Sequence, residues 1–74
     1  MSPPVPKGRV RNRIRALRTG AGLSQQQLAD LVGATRQTIN AIEQEKYAPS
    51  LELAFRVARA FGVGFENVFE FSDS

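Results

Sequence analysis

The sequence has neither cysteine nor histidine among its 74 residues. Without cysteine the chain cannot build a disulfide framework, so nothing indicates a secreted, cross-linked domain. A zinc site would need carboxylates alone, and no Cys-His or Ser-His catalytic arrangement can form. The best remaining catalytic candidates are three carboxylates, Glu43, Glu45 and Glu52. We therefore expect no enzyme, no metal site and no cofactor.

Long apolar segments are lacking as well. The longest run of apolar residues and glycine covers residues 60–65, far short of the roughly 20 residues that cross a membrane. Residues 1–7 lack the apolar core of a signal peptide. A chain of 74 residues is also too short for a TIM barrel or a doubly wound nucleotide-binding fold. We expect a cytoplasmic, nucleoid-associated protein with no membrane contact.

Charge is unevenly distributed along the chain, which carries a net charge of +3. Residues 1–37 hold seven Lys or Arg against Asp30 alone, whereas residues 38–74 hold three against six acids. A basic half beside an acidic half favours a polyanion as one partner and a different neighbour on the other side. The alternative on charge alone is a solvated basic helix.

The N-terminal region divides into an arm and the start of a domain. Residues 1–8 contain three Pro and a Gly and are expected to form a flexible arm, or an extension along a phosphate backbone. From Arg9 to Thr19 two periods compete, because Arg alternates as in a strand while Val10, Ile14 and Leu17 share one helical face. We predict a helix here, since Arg and Ala favour helix.

Two short helices with a tight connection follow. Ser24 and Gln27 have the spacing of a capping box, and Gly33 suits the end of that helix. Thr35 is a new N-cap, and the next helix runs from Arg36 to about Gln44. Short helices joined by a turn containing glycine are typical of the DNA-binding helix-turn-helix.

The outward face of the helix from Arg36 can be derived from its apolar positions. At about 100° per residue, Ile39 and Ile42 define the buried direction and Glu43 leans toward the core. The opposite side carries Gln37, Asn40, Ala41 and Gln44, with Arg36 at its flank. Arg suits guanine, Gln and Asn suit adenine, and Ala suits a thymine methyl in the major groove. The alternative is a merely solvated surface helix.

The C-terminal half continues the helical pattern. Ser50 is an N-cap before a wide apolar face that ends at Gly62. Residues 65–69 are predicted to form one last helical turn, and residues 72–74 a tail. We predict no strand.

The run from Leu23 to Glu43, with Lys46 to Ala54 and Ala60 to Val63, resembles the Cro and phage-repressor type of helix-turn-helix regulator, the XRE family. The resemblance covers about residues 9–71. It implies a lambda-repressor-like domain, an all-α compact bundle of five helices, that binds double-stranded operator DNA as a homodimer. We accordingly expect a sequence-specific transcriptional regulator, acting as a repressor, with no small-molecule ligand.

The resemblance also assigns roles to individual residues. Base contacts fall to Arg36, Gln37, Asn40 and Ala41, and phosphate contacts to Gln25, Thr35, Gln44, Lys46 and Arg11. Arg18 and Glu43 correspond to a buried ion pair of some members, in agreement with the inward lean of Glu43. Tyr47 is either a further phosphate contact or a packed loop aromatic.

Two positions depart from the family pattern. Gln44-Glu45 stands where many members have Asn-Gly, and Glu is a poor residue for a left-handed backbone and carries the wrong charge beside phosphate. Gly64 stands where members often have a Ser or Thr cap.

The expected dimer surface lies near the acidic end, at Val68, Phe69 and Phe71, with core packing as the alternative for Val68 above all. An alternative function on the same fold is an antitoxin or another protein-interaction module.

Overall fold

The computed structural model describes residues 8–72, so most of the expected arm and tail lies outside the described residues. Seven elements follow one another along the chain, and their bounds are β1 Arg9–Asn12, α1 Ile14–Gly20, α2 Gln25–Val32, α3 Arg36–Glu43, α4 Leu51–Phe61, a 3₁₀ turn Phe65–Asn67 and β2 Phe69–Ser72. The two strands form one antiparallel sheet.

Side-chain caps start α2, α3 and α4 where the sequence predicted them. The Ser24 hydroxyl accepts from the backbone N–H of Gln27, whose side chain completes the capping box. The Thr35 and Ser50 hydroxyls accept in the same way at α3 and α4. These bonds satisfy N–H groups that have no partner inside the helix. The predicted starts of the three helices are confirmed.

The predicted helix over residues 9–19 is wrong in its first part, because Arg9–Asn12 form β1. The alternating arginines there follow the two-residue period of a strand. Asn12 is the last residue of β1. Its Oδ1 accepts from the N–H of Ile14, the first residue of α1, at 3.1 Å, and its Nδ2 donates to the Ile42 carbonyl at 2.8 Å. That second bond ties β1 to the end of α3.

The predicted fifth helix is also wrong, since Phe65–Asn67 form only a 3₁₀ turn and β2 follows. β2 pairs with β1 so that Val10 lies opposite Phe71, and Arg11 opposite Glu70. The domain is therefore four helices with a small two-stranded sheet and not a five-helix all-α bundle. Two strands from opposite ends of the chain satisfy each other's backbone groups, which no local pattern reports.

The core lies between the helices and is closed by the sheet. Its fully buried large side chains are Ile14, Leu28, Ile39, Ile42, Val57 and Val68. Phe69 is 5% exposed and joins this core, whereas Phe71, two residues on, is 58% exposed. Of the three residues expected at a dimer surface, only Phe71 is open to a second chain.

The two phenylalanines of β2 give a matched test of this packing. We expect Phe69→Ala to lower the free energy of unfolding by about 3–5 kcal/mol, because it leaves a cavity in the core. Phe71→Ala should cost less than about 1 kcal/mol. Urea denaturation at a concentration where sedimentation shows a monomer measures both, and equal losses would contradict the burial of Phe69 and the exposure of Phe71.

Candidate nucleic-acid interface

α3 lies on the core through one face and presents the other to solvent. Ile39 and Ile42 are fully buried, as the 100° rotation predicted. Arg36, Gln37, Asn40 and Gln44 are exposed, and Ala41 is half-buried. The outer face of α3 therefore consists of a guanidinium, amides and a small methyl group.

The turn before α3 sets its direction relative to α2. Gly33 has a φ of +73°, in the left-handed region that glycine adopts without a steric penalty. The following N–H, that of Ala34, donates to the Ala29 carbonyl at 2.9 Å, and the Ala34 side chain packs on the core. With Thr35 as the next cap, three residues connect the end of α2 to the start of α3.

An ion pair joins α1 to the end of α3. Arg18 Nε lies 2.7 Å from Glu43 Oε2, and Arg18 Nη2 lies 3.2 Å from Glu43 Oε1. The two side chains are 12% and 4% exposed. The hydrogen bond with Glu43 raises the pKa of Arg18. Desolvation of the guanidinium lowers this pKa, and the charge of the Glu43 carboxylate raises it further. Arg18 also donates to the Leu23 carbonyl, so one guanidinium connects three segments.

A network of side-chain amides extends from this ion pair to the outer face of α3. Gln25 Nε2 lies 3.2 Å from Glu43 Oε1 and 3.1 Å from Asn40 Oδ1. Gln44 Nε2 lies 3.1 Å from the same Asn40 oxygen. Both amide hydrogens of Gln25 are thereby engaged, so a phosphate contact at this residue would use its backbone N–H at the start of α2. Sequence reasoning missed this network, because it joins residues of two helices.

α3 ends in a left-handed turn at Glu45, whose φ is +60°. The N–H of Lys46 donates to the Ala41 carbonyl at 3.0 Å and that of Glu45 to the Ile42 carbonyl at 2.9 Å, which is the Schellman pattern. Glu45, which departs from the family pattern, thus forms the usual left-handed turn, and this conformation strains its backbone.

The Glu45 carboxylate faces β1. Its oxygens lie 3.7 Å from Arg9 Nε and 3.8 Å from Arg11 Nε. The arginine side chains remain 62% and 51% exposed, so both ion pairs are screened by water and weak. Arg11, expected at phosphate, is thus placed beside the C-terminal end of α3 and partly neutralised by Glu45.

Basic side chains border the outer face of α3 at both ends. Arg36 lines a shallow depression with Gln25, Gln37 and Asn40. Arg15 lines a second one with Arg18, Gln25, Asn40, Glu43 and Gln44. Lys46 and Tyr47 are exposed just beyond the helix. The outer face of α3 therefore lies between cationic groups, an arrangement that suits the binding of a polyanion.

Residues 8–72 contain no group of His, Cys, Asp or Glu side chains arranged to hold a metal ion. Over the same residues, no helix combines the length and apolar character needed to cross a membrane.

Comparison with known proteins places this arrangement in one family. The model of the helix-turn-helix family matches residues 14–67. An uncharacterized HTH-type transcriptional regulator of Methanocaldococcus jannaschii is 45% identical over 64 residues, which are 86% of this chain and 97% of that protein. The chain belongs to the helix-turn-helix family and is a DNA-binding transcriptional regulator of the XRE type.

Solved structures agree with the fold. The restriction-modification controller protein C.AhdI from Aeromonas hydrophila has a TM-score of 0.70 at 33% identity, covering 73% of this chain and 82% of that one. A Bacteroides fragilis protein has a TM-score of 0.74 at 24% identity, covering 82% of this chain and 98% of that one, and shows the fold alone.

The ion pair at the end of α3 can be tested against an exposed one. We expect Glu43→Ala to lower the free energy of unfolding by about 3 kcal/mol, because it leaves the Arg18 charge without its partner in a largely buried position. Glu52→Ala removes the exposed Glu52–Arg56 pair of α4 and should cost less than about 1 kcal/mol. Urea denaturation compares the two, and a loss at Glu43 no larger than that at Glu52 would contradict a structural role.

Proposed function

We propose that α3 enters the major groove of operator DNA and reads base edges with Arg36, Gln37, Asn40 and Ala41. The observation that carries this proposal is the exposed stripe of guanidinium, amide and methyl groups on a helix whose other face is fixed in the core. Each good contact of this kind discriminates between bases by about 1–3 kcal/mol.

Phosphate contacts are proposed around this helix. The backbone N–H groups at the start of α2 near Gln25, and the Thr35, Gln44 and Lys46 side chains, border the reading face. Arg11 contributes from β1, where an exposed guanidinium exchanges a weak ion pair with Glu45 for a phosphate. Such contacts supply affinity that is independent of sequence and falls with salt.

The proposed mode of action is repression. A protein bound at an operator excludes polymerase from overlapping DNA by its volume alone, so the described domain is sufficient for that effect. The acting form is a cytoplasmic homodimer on the nucleoid.

Support for a dimer comes from apolar side chains left at the surface. Leu51 is 67% exposed, Phe55 50% and Phe71 58%. These three side chains border one continuous surface. Val10 lies opposite Phe71 in the sheet and lines an apolar groove with Leu51. Phe65 lines the same groove, and its ring lies 5.2 Å from that of Phe55. A two-fold dimer through this surface would place two α3 helices on half-sites about 10 bp apart.

The dimer surface has a matched pair of exposed leucines for its test. Leu51→Ser should shift sedimentation at micromolar concentration toward the monomer, because it removes apolar area from the interface. Leu31→Ser, at a 63% exposed position on α2, should leave the association unchanged. A monomeric wild-type protein, or equal behaviour of the two variants, would contradict this surface.

The reading face and the phosphate contacts predict different losses of DNA binding. Arg36→Ala or Gln37→Ala should relax base preference at one position by about 1–3 kcal/mol and leave the thermal midpoint nearly unchanged. Lys46→Ala should weaken binding to every sequence and reduce the salt slope by about one.

Selection of bound duplexes from a random library, followed by salt titration, measures both effects. Unchanged base preferences after replacement of Arg36 and Gln37 together would show that α3 does not read the bases.

A further inference from the structure

The side-chain amide of Asn40 is held in one orientation by its neighbours. The chain of contacts begins at Glu43, whose carboxylate is paired with the permanently charged Arg18. An ionised carboxylate only accepts hydrogen bonds. The Gln25 atom 3.2 Å from Glu43 Oε1 must therefore be its nitrogen.

The Gln25 nitrogen in turn fixes Asn40. It lies 3.1 Å from the Asn40 side chain, so Asn40 must present its acceptor oxygen there. Gln44 Nε2 donates to that oxygen from the other side, also at 3.1 Å. An amide oxygen has two lone pairs, and both face donors.

We propose that Asn40 reads guanine through its Nδ2 hydrogens, and that Gln25, oriented by Glu43, is the positioning residue for this specificity. The usual pairing of Asn with adenine needs the amide oxygen to accept from the adenine N6 group while the nitrogen donates to N7. Here the oxygen is occupied. Guanine offers two adjacent acceptors, O6 and N7, and no donor between them. This inference rests on the proposed entry of α3 into the major groove.

The experiment is selection of duplexes from a random library with the full chain. Comparison with Asn40→Ala identifies the base pair that Asn40 contacts. At that pair we expect the wild type to prefer G·C over A·T by at least about tenfold, in either strand orientation. A preference for A·T, or no position altered by Asn40→Ala, would overturn the inference.

Freeing the Asn40 oxygen tests the positioning role. The double variant Gln25→Met, Gln44→Met removes both donors at nearly constant side-chain length. The ratio of G·C to A·T binding should fall about tenfold at the Asn40 position and stay unchanged elsewhere, because the amide then forms the adenine pair. Gln44→Met alone, at an exposed position, should lower the ratio of G·C to A·T binding about threefold. This single variant tests the role of the donors to Asn40 even where the double variant does not fold.

The matched control is Gln26→Met, one residue along α2, whose amide donates to Asp30 Oδ1 at 2.9 Å away from this network. It should leave every position unchanged. An unaltered ratio in both the single and the double variant would overturn the positioning role while selection of an operator continues. Failure of the wild type to select any sequence would instead overturn the proposed function of α3.

Discussion

A two-point hydrogen bond between the Arg18 guanidinium and the Glu43 carboxylate holds α1 against the last turn of α3. The same guanidinium donates to the Leu23 carbonyl before α2. The same carboxylate accepts a hydrogen bond from the Gln25 amide in the first turn of α2. Three helices of a small domain thus meet at one charged centre. Because little water reaches it, a partner removed there leaves the other charge without compensation, so the orientation of α3 depends on both groups.

The sheet supplies the second constraint. A chain without cysteine cannot close its ends with a disulfide, and β1 and β2 close them by backbone pairing instead. The sheet also reaches the end of α3, through the amide of Asn12 on the Ile42 carbonyl and through Arg9 and Arg11 beside Glu45. The helix proposed to read DNA is therefore held at its C-terminal end by the ion pair on one side and the sheet on the other.

This support bears on how the surface binds. Side chains that must be ordered at an interface cost about 0.5–1.5 kcal/mol each. Gln25 and Gln44 are already hydrogen-bonded to Asn40 in the free chain, so less of that cost falls on binding. The partners that order these amides also decide which of their atoms remain for a base, which makes affinity and specificity properties of the same network.

Local sequence determined the middle of this protein. Ser24, Thr35 and Ser50 fixed where α2, α3 and α4 begin, because capping bonds and the helical period involve residues no more than a few positions apart. The buried side of α3 followed from Ile39 and Ile42 for the same reason.

Tertiary structure decided the conformation of the two strands and the orientation of side chains on the outer face of α3. The segment from Arg9 fits two periods, and it became a strand because β2 pairs with it from the far end of the chain. Glu45 lies in a left-handed turn, and its carboxylate pairs with Arg9 and Arg11. No residue near Glu45 in the sequence predicts these partners. The orientation of the Asn40 amide depends on Gln25 from another helix. Hydrogen bonds between distant segments have no period in the sequence, so only the folded chain specifies them.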